Sequence, residues 1–111
     1  MAEETSRETQ RRSTFRLVFP PEYSPRIFIS GVAYSVVDIS ERGVRFNNPF
    51  RHRMPDDIFS AFVWFHDGEP VKVLARVVRI EPGRNALYFL QGIPYKRIMA
   101  EQVYVKNLSK G

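Results

Sequence analysis

The chain has 111 residues, of which 43% are hydrophobic and 14% aromatic, and its formal net charge is +5. A chain of this length forms one ordinary domain with a real core and leaves no room for a second. The absence of cysteine excludes disulfides, thiol catalysis and thiolate metal sites. Since no stretch is long and apolar enough to span a membrane and no secretory leader is present, we expect a cytoplasmic protein.

Arginine supplies most of the positive charge, with thirteen Arg and four Lys among the seventeen basic residues. An excess of positive charge favours anionic partners, which include nucleotides, nucleic acids, acidic protein surfaces and lipid headgroups. The planar guanidinium fork suits bidentate contact with phosphate or guanine better than a lysine ammonium does. An arginine excess also follows from genome base composition, so composition alone does not choose among these partners.

The chain begins with a polar segment, residues 1–11, that mixes glutamate and arginine without apolar periodicity, and we expect a flexible leader there. The domain itself is predicted to cover residues 12–111. Pro20-Pro21 excludes a helix in this region. The arginines of the segment 11–16 are therefore expected to lie on an extended arm.

From Arg26 to Phe46 the pattern has a period near two, which is typical of β-strands. The alternation predicts that Asp38 and Ser40 share one face, opposite the apolar residues that precede each of them. Gly43 is predicted to take a positive φ in a tight turn before the next strand.

Three further strand signals follow in chain order. Both faces of the segment 58–66 are largely apolar, which predicts a strand covered on both sides and places Trp64 in the core. The next strand, 71–80, slips in phase at Val77-Val78, as at a β-bulge. Pro82-Gly83-Arg84-Asn85 predicts the turn of a hairpin into the last strand.

The spacing becomes helical near the end, with apolar residues on one side at Tyr95, Ile98, Met99 and Val103. Charged residues such as Glu101 are expected on the other sides of this helix. Several short strands, tight turns and one late helix predict a small antiparallel barrel or sandwich that the helix caps.

Enzyme chemistry has no support in the sequence, which lacks a Ser/His/Asp set at usable spacing, a glycine-rich phosphate loop and paired acids in a motif. The two histidines, His52 and His66, lie in different segments, so surface or core roles are expected for them instead of metal ligation. We therefore predict a protein that is not an enzyme and that needs no metal or cofactor.

Two short segments together indicate a nucleotide ligand. Arg12 and Arg16 are four residues apart, or roughly 13 Å at about 3.3 Å per residue on an extended arm, so they can reach different parts of one ligand. Asp38 can accept from the N–H edge of a base or hold an arginine, and Ser40 can donate to a phosphate or a base acceptor. The alternative without a ligand is that the arginines form a solvated basic arm and that Asp38 and Ser40 are ordinary polar residues on an exposed strand.

These segments carry a resemblance to a known family. The motif Arg12-x-x-x-Arg16, followed about twenty residues later by Asp38-x-Ser40-x-x-Gly43, resembles the paired signature of the PilZ domain family, bacterial receptors for the second messenger cyclic di-GMP. The resemblance covers nearly the whole chain and implies an all-β fold, a six-stranded antiparallel β-barrel with a short C-terminal helix. It also implies that these five motif residues bind cyclic di-GMP.

The resemblance adds further candidates for the site. Arg11 precedes the first motif arginine, and a basic residue there implies an intercalated ligand dimer in place of a monomer. Some members supply an aromatic side chain from a later strand, but the corresponding region of this chain, residues 76–79, has none. Stacking from that side is therefore expected to come from arginine. Arg45 and Arg76 are two additional candidates for ligand contact.

The sequence leaves three functional hypotheses. The first is a cyclic di-GMP receptor that orders its N-terminal arginine arm on binding and signals to an effector protein. The second is a PilZ-like interaction module that binds no nucleotide. The third is a small basic barrel that binds RNA or DNA, which is disfavoured because the charge lies at the arm and turns while most aromatic residues fall in core phase.

Overall fold

The structure, a computed structural model, describes residues 15–108. This part of the chain forms seven strands and one helix, which are β1 Leu17–Val18, β2 Arg26–Ile29, β3 Val32–Ser40, β4 Gly43–Asn47, β5 Phe59–Trp64, β6 Pro70–Glu81, β7 Arg84–Gln91 and α1 Tyr95–Leu108. The predicted leader, residues 1–11, lies outside the described residues, as does most of the arm.

Six of these strands close into an antiparallel barrel. They pair in the order β3-β2-β5-β6-β7-β4, and β4 pairs back with β3. The short β1 pairs with the end of β3 on the side away from β4, with Leu17 opposite Ile39 and Val18 opposite Asp38. Closure gives each barrel strand a neighbour on both sides and so removes free edges. The predicted six-stranded barrel with a C-terminal helix is confirmed.

A β-bulge in β3 decides which residues face out of the barrel. The pairing of β3 with β4 shifts between Val36 and Asp38, so Val36 and Ile39 are both buried although they are three residues apart. An extra residue in one strand reverses the alternation beyond it, which turns Asp38 and Ser40 to the outer wall. The shared face of Asp38 and Ser40 is confirmed, whereas the unbroken alternation through Val37 is wrong.

The second half of the barrel matches the predicted turn and bulge. The pairing of β6 with β7 shifts between Val77 and Arg79, at the predicted slip in phase. The hairpin between these strands is a two-residue turn, Pro82-Gly83, in which Gly83 has a φ of 74°. A positive φ costs glycine little, which explains its place in the turn.

The predicted double coverage of β5 is wrong. Ala61 and Val63 are buried in the barrel, but Phe62 and Trp64 on the other face are 43% and 40% exposed. The prediction of a core position for Trp64 is therefore also wrong. An apolar pattern on both faces of a strand indicates that both could be buried. Within the described part of the chain, however, helix α1 and the loops do not cover the outer face of β5.

Helix α1 is confirmed, but its predicted faces are wrong in two places. Glu101, expected on a polar side, is only 1% exposed, whereas Val103 is exposed. The hydroxyl of Tyr23 donates to Glu101 Oε2 at 2.5 Å, and His66 Nδ1 contacts the other oxygen. Tyr104 stacks on His66 with ring centroids 4.1 Å apart. A carboxylate can be buried when it is paired and hydrogen-bonded, so this cluster anchors the helix to the barrel.

Replacing Tyr23 with phenylalanine tests the anchor. We expect the free energy of unfolding to fall by ~1–3 kcal/mol, because the buried Glu101 loses a donor. Burial, followed by the hydrogen bond to Glu101, raises the pKa of Tyr23 in the folded protein. The stability that this group contributes is therefore fully present below a pH of about 10 and is lost as the pH rises towards the folded pKa.

Urea denaturation of both proteins between neutral and alkaline pH measures this difference. The stability gap between wild type and Tyr23→Phe is expected to be widest near neutral pH and to narrow above a pH of about 10. A gap that is independent of pH would contradict the assignment of the alkaline loss to this hydroxyl.

Candidate functional site

A buried carboxylate with two arginines lies on the outer wall of the barrel. Asp38 has no exposed surface. Arg16 Nη1 donates to its Oδ1 at 2.6 Å, and Arg45 Nε donates to Oδ2 at 2.7 Å, with Nη2 of Arg45 on the same oxygen. The two arginine side chains remain 44% and 38% exposed. Asp38 therefore holds two guanidinium groups in place while leaving much of each open to a ligand.

Three neighbouring strands bring this triad together. Arg16 directly precedes the buried Leu17 of β1, so alternation turns Arg16 to the outer wall. Asp38 follows the bulge in β3, and Arg45 is its cross-strand partner on β4. A one-residue shift in either pairing would move a member of the triad to the opposite face of the wall.

The triad carries a net positive charge, since one carboxylate faces two guanidinium groups. The hydrogen bond from Arg45 to Asp38 raises the pKa of Arg45 further above its ordinary value. Arg45 therefore stays charged at any physiological pH. This local charge suits an anionic ligand.

Ser40 shapes the turn that joins β3 to β4. Its Oγ accepts a hydrogen bond from the backbone N–H of Arg42 at 3.3 Å and lies 3.5 Å from the carbonyl oxygen of Gly43. The hydroxyl is therefore occupied by its own turn in this structure, and a role as ligand donor stays a prediction. The turn in consequence presents Arg42 next to the triad.

The predicted positive φ of Gly43 is wrong. Among the described residues, the glycines with positive φ are Gly31, Gly68 and Gly83. Gly43 is instead the first residue of β4, where a Cβ atom would lie 3.0 Å from the carbonyl oxygen of Leu87. Glycine is needed at this position for the close approach of two strands and not for its backbone conformation.

Three of the motif residues, Arg16, Ser40 and Gly43, border a cavity of about 550 Å³. Its described lining includes four arginines, Arg16, Arg42, Arg45 and Arg79. Ser40 and Gly43 form part of the wall on the side of the turn, and Tyr88 of β7 provides an aromatic surface. The cavity thus combines guanidinium forks with a ring on which a base can stack.

Residues 76–79 supply no aromatic side chain, but Tyr88 of β7 lines the cavity. Arg76 lies over the ring of Tyr88, with its guanidinium carbon 5.3 Å from the ring centroid. Such a contact contributes about 0.5–2 kcal/mol and restrains the ring. Arg76 therefore supports the aromatic surface and is not itself part of the cavity lining. Tyr88 faces Gly43 across β4 and β7, a register that the sequence does not reveal.

The end of β7 clamps the turn that carries Arg42. The carbonyl oxygen of Arg42 accepts from the N–H of Phe89 at 2.8 Å, and that of Glu41 accepts from the N–H of Ile93 at 3.1 Å. A Cβ atom on Gly92 would lie only 1.9 Å from the carbonyl oxygen of Glu41. The position of the turn therefore depends on glycine at residue 92.

Comparison with protein families decides the identification, because the model of the PilZ domain matches residues 10–108. The chain belongs to the PilZ domain family. PilZ domains are binding modules, and family members are generally receptors for cyclic di-GMP. The resemblance read from the two motifs is confirmed.

Two solved structures are similar to this chain. The uncharacterized Legionella protein Lpg0364 superimposes with a TM-score of 0.64 at 15% identity, covering 87% of this chain and 99% of that one. The PilZ domain of CeSA from a cellulose synthesizing bacterium gives a TM-score of 0.49 at 18% identity, covering 86% of this chain and 99% of its own. A search among curated proteins found no match. These likenesses concern the fold alone.

Two of the predicted site arginines, Arg11 and Arg12, lie outside the described residues of the PilZ domain. The structure brings together Arg16, Asp38 and Arg45, with Ser40 and Gly43 at the border of the same cavity. Arg42 and Arg79 also line it, although sequence reasoning did not select them. Arg42 occupies a variable position of the Asp-x-Ser-x-x-Gly motif, and its proximity follows from the turn geometry.

A larger cavity of about 690 Å³ lies between the loop after β4 and the β6–β7 hairpin of the PilZ domain. It contains none of the motif residues, and Arg53 on its rim is paired with Asp56 at 3.2 Å. His52 contacts the Tyr34 hydroxyl at 3.2 Å. The prediction of surface or core roles fits His52 at this cavity and His66 beside Glu101. Residues 15–108 contain no cluster of potential metal ligands and no helix that could cross a membrane.

Proposed function

We propose that this PilZ domain binds cyclic di-GMP in the cavity beside Asp38 and signals its presence to an effector protein. The observation that supports the proposal most strongly is the buried Asp38 carboxylate, which fixes Arg16 and Arg45 at the mouth of one cavity. Because both guanidinium groups are preorganised, less conformational entropy is lost when a ligand binds.

The chemistry of the cavity matches the two components of cyclic di-GMP. Its phosphates are anionic and suit guanidinium donors, while the O6 and N7 atoms of guanine accept from one arginine fork. Tyr88 offers an aromatic face, and stacking of a base on such a ring contributes roughly 1–3 kcal/mol. A ligand with both phosphates and purines therefore uses the arginines and the ring at the same time.

The arm before β1 completes the proposed site. We propose that Arg12 contacts the ligand at a second point and that binding orders the arm over the cavity. Ordering the arm costs conformational entropy, which lowers the affinity. The attraction between the clustered positive charge and the ligand therefore has to exceed this cost. Arg11 would allow a second, intercalated ligand molecule. The ordered arm then changes the surface that an effector protein meets.

Titration calorimetry of the full chain with cyclic di-GMP tests this function. We expect one or two ligand molecules per chain and little competition from single-stranded DNA or RNA. Absence of heat together with an unshifted melting temperature would favour the module that binds no nucleotide. Binding to the polymer with a steep salt dependence, and no preference for cyclic di-GMP, would favour the nucleic-acid hypothesis.

Replacing Tyr88 tests the aromatic wall of the cavity. Tyr88→Ala is expected to weaken cyclic di-GMP binding by ~1–3 kcal/mol, about five- to more than a hundredfold, because the base loses its stacking surface. Tyr88→Phe keeps the ring and is expected to bind as the wild type does. Calorimetric affinities that are equal for the two variants would contradict a stacking role.

A further inference from the structure

Three aromatic side chains meet on the outer wall of β2 and β5, where Phe62 and Trp64 are exposed and Phe28 is half-buried. Phe28 and Phe62 are cross-strand partners, and Trp64 follows two residues later on the same face. The rings of Phe28 and Trp64 meet edge to face, with centroids 6.1 Å apart. We name Phe28, Phe62 and Trp64 the outer aromatic face.

The residues of this face are of the type that is usually buried against another element or a partner. The sequence of β5 is apolar on both sides, as in a strand buried on both, and yet Phe62 and Trp64 are two-fifths exposed. Contiguous exposed aromatic residues mark interaction sites, since tryptophan is enriched among residues that dominate binding energy. We propose that the outer aromatic face binds a partner protein through apolar side chains bordered by acidic ones.

The positive charge beside the rings favours a partner with acidic side chains. Arg26 lies directly opposite Trp64, and Lys72 lies directly opposite Phe62, so the rings have a basic side chain at two borders. Both are exposed, and neither has an acidic partner among the described residues. A partner whose carboxylates meet these two cations gains complementarity, which favours correct encounter.

One of the two acidic residues of the adjacent loop already has a basic partner. Asp67 is paired with Arg97 at 3.2 Å. Glu69 lies next to Pro70, at the end of the face beyond Trp64. A second copy of the chain docked face to face would bring two basic borders together, which disfavours self-association as the occupant.

Protein is also a better fit than single-stranded nucleic acid. A nucleic-acid groove combines a track of positive charge with ring faces free for stacking. On this wall two cations border the rings, and the 68° angle between the Phe28 and Trp64 planes makes them pack on each other.

The outer aromatic face and the nucleotide cavity occupy opposite walls. In the closed strand order, β2 and β5 are separated from β4 and β7 by β3 on one side and β6 on the other. A partner on this face therefore leaves the cavity accessible. The partner surface adds to the proposed function, in which the protein signals to an effector. It is inferred from the exposed rings, however, and does not require that the nucleotide bind.

Trp64 provides the measurement, since it is the only tryptophan in the chain. The probes are two synthetic amphipathic helices with the same leucine face, one bordered by glutamate and the other by lysine. With the full chain, the glutamate helix is expected to shift Trp64 emission to the blue and to protect it from acrylamide. The lysine helix is expected to bind at least about tenfold more weakly.

Two variants locate the binding. Phe62→Ser removes part of the face but keeps the reporter, and we expect it to weaken binding of the glutamate helix at least about tenfold. Ile80→Ser is the matched control, because Ile80 is an exposed apolar residue on β6 outside the face, and it is expected to bind normally. Unchanged melting and cyclic di-GMP affinity of Phe62→Ser would separate this result from the nucleotide proposal.

Several outcomes would overturn the inference. They are the absence of an emission change, equal binding of both helices, and wild-type binding by Phe62→Ser. Concentration-dependent dimerisation that buries Trp64 would assign the face to a second copy. A Phe62-dependent emission change with phosphatidylglycerol vesicles or a single-stranded oligonucleotide, but not with the glutamate helix, would assign it to a membrane or to nucleic acid.

Discussion

Replacing Arg16 with alanine is expected to weaken cyclic di-GMP binding by ~1–3 kcal/mol, about five- to more than a hundredfold. Arg16 is one of the two guanidinium groups that the buried Asp38 carboxylate holds at the cavity. Its loss removes a bidentate donor and lowers the local positive charge. The same loss is expected for Arg12→Ala, on the basis of the family motif. Titration calorimetry at fixed ionic strength measures both.

Two further variants separate geometry from charge. Arg16→Lys keeps the charge but not the fork, so we expect it to recover only part of the affinity. Arg53→Ala is the matched control, since it removes an exposed arginine that is paired with Asp56 at the other cavity. An affinity that falls equally in Arg16→Ala and Arg53→Ala would show that net charge alone drives binding, and it would contradict a specific contact between Arg16 and the nucleotide.

Replacing Gly92 with alanine is expected to lower the free energy of unfolding by about 3 kcal/mol or more, at the upper end of overpacking effects. The new Cβ atom would lie 1.9 Å from the carbonyl oxygen of Glu41, and this neighbour is backbone that cannot rotate away. Relief requires the turn to move and strains the hydrogen bond from Ile93 to Glu41. Urea denaturation measures the loss.

The control for this variant is Gly31→Ala. Gly31 has a φ of 82° and no atom within 4 Å of its virtual Cβ, so alanine there meets backbone strain without a clash. We expect a cost of about 1 kcal/mol at this position. If Gly92→Ala costs no more than Gly31→Ala, β7 does not clamp the turn. Because the turn carries Arg42, a folded Gly92→Ala is also expected to bind cyclic di-GMP less tightly.

The sequence pattern predicted an antiparallel barrel or sandwich, and the shared face of Asp38 and Ser40, for physical reasons. Alternation of apolar residues marks strands, and the two-residue spacing of Asp38 and Ser40 keeps them on one face whatever lies before them. The bulge at Val77-Val78 was readable because two similar residues interrupt the alternation. The doublet Val36-Val37 interrupts the alternation in the same way, but the bulge there was missed and only the pairing with β4 reveals it.

The remaining differences depend on which surfaces meet in three dimensions. Glu101 looks like a solvated helix residue until Tyr23 and His66 are placed beside it by distant parts of the chain. Trp64 looks like core until the outer wall of β5 is seen to lack a covering element in the described residues. In the same way, Tyr88 reaches the cavity only through the register between β4 and β7.

The central claim is that cyclic di-GMP binds beside the carboxylate of Asp38, and a proton–nitrogen correlation spectrum of the labelled chain tests it most directly. On titration with cyclic di-GMP, we expect the amide signals of Arg16, of residues 38–43 and of Tyr88 to shift, while the indole signal of Trp64 on the opposite wall stays in place. Unchanged signals from Arg16 and from residues 38–43 at saturating nucleotide would contradict the claim.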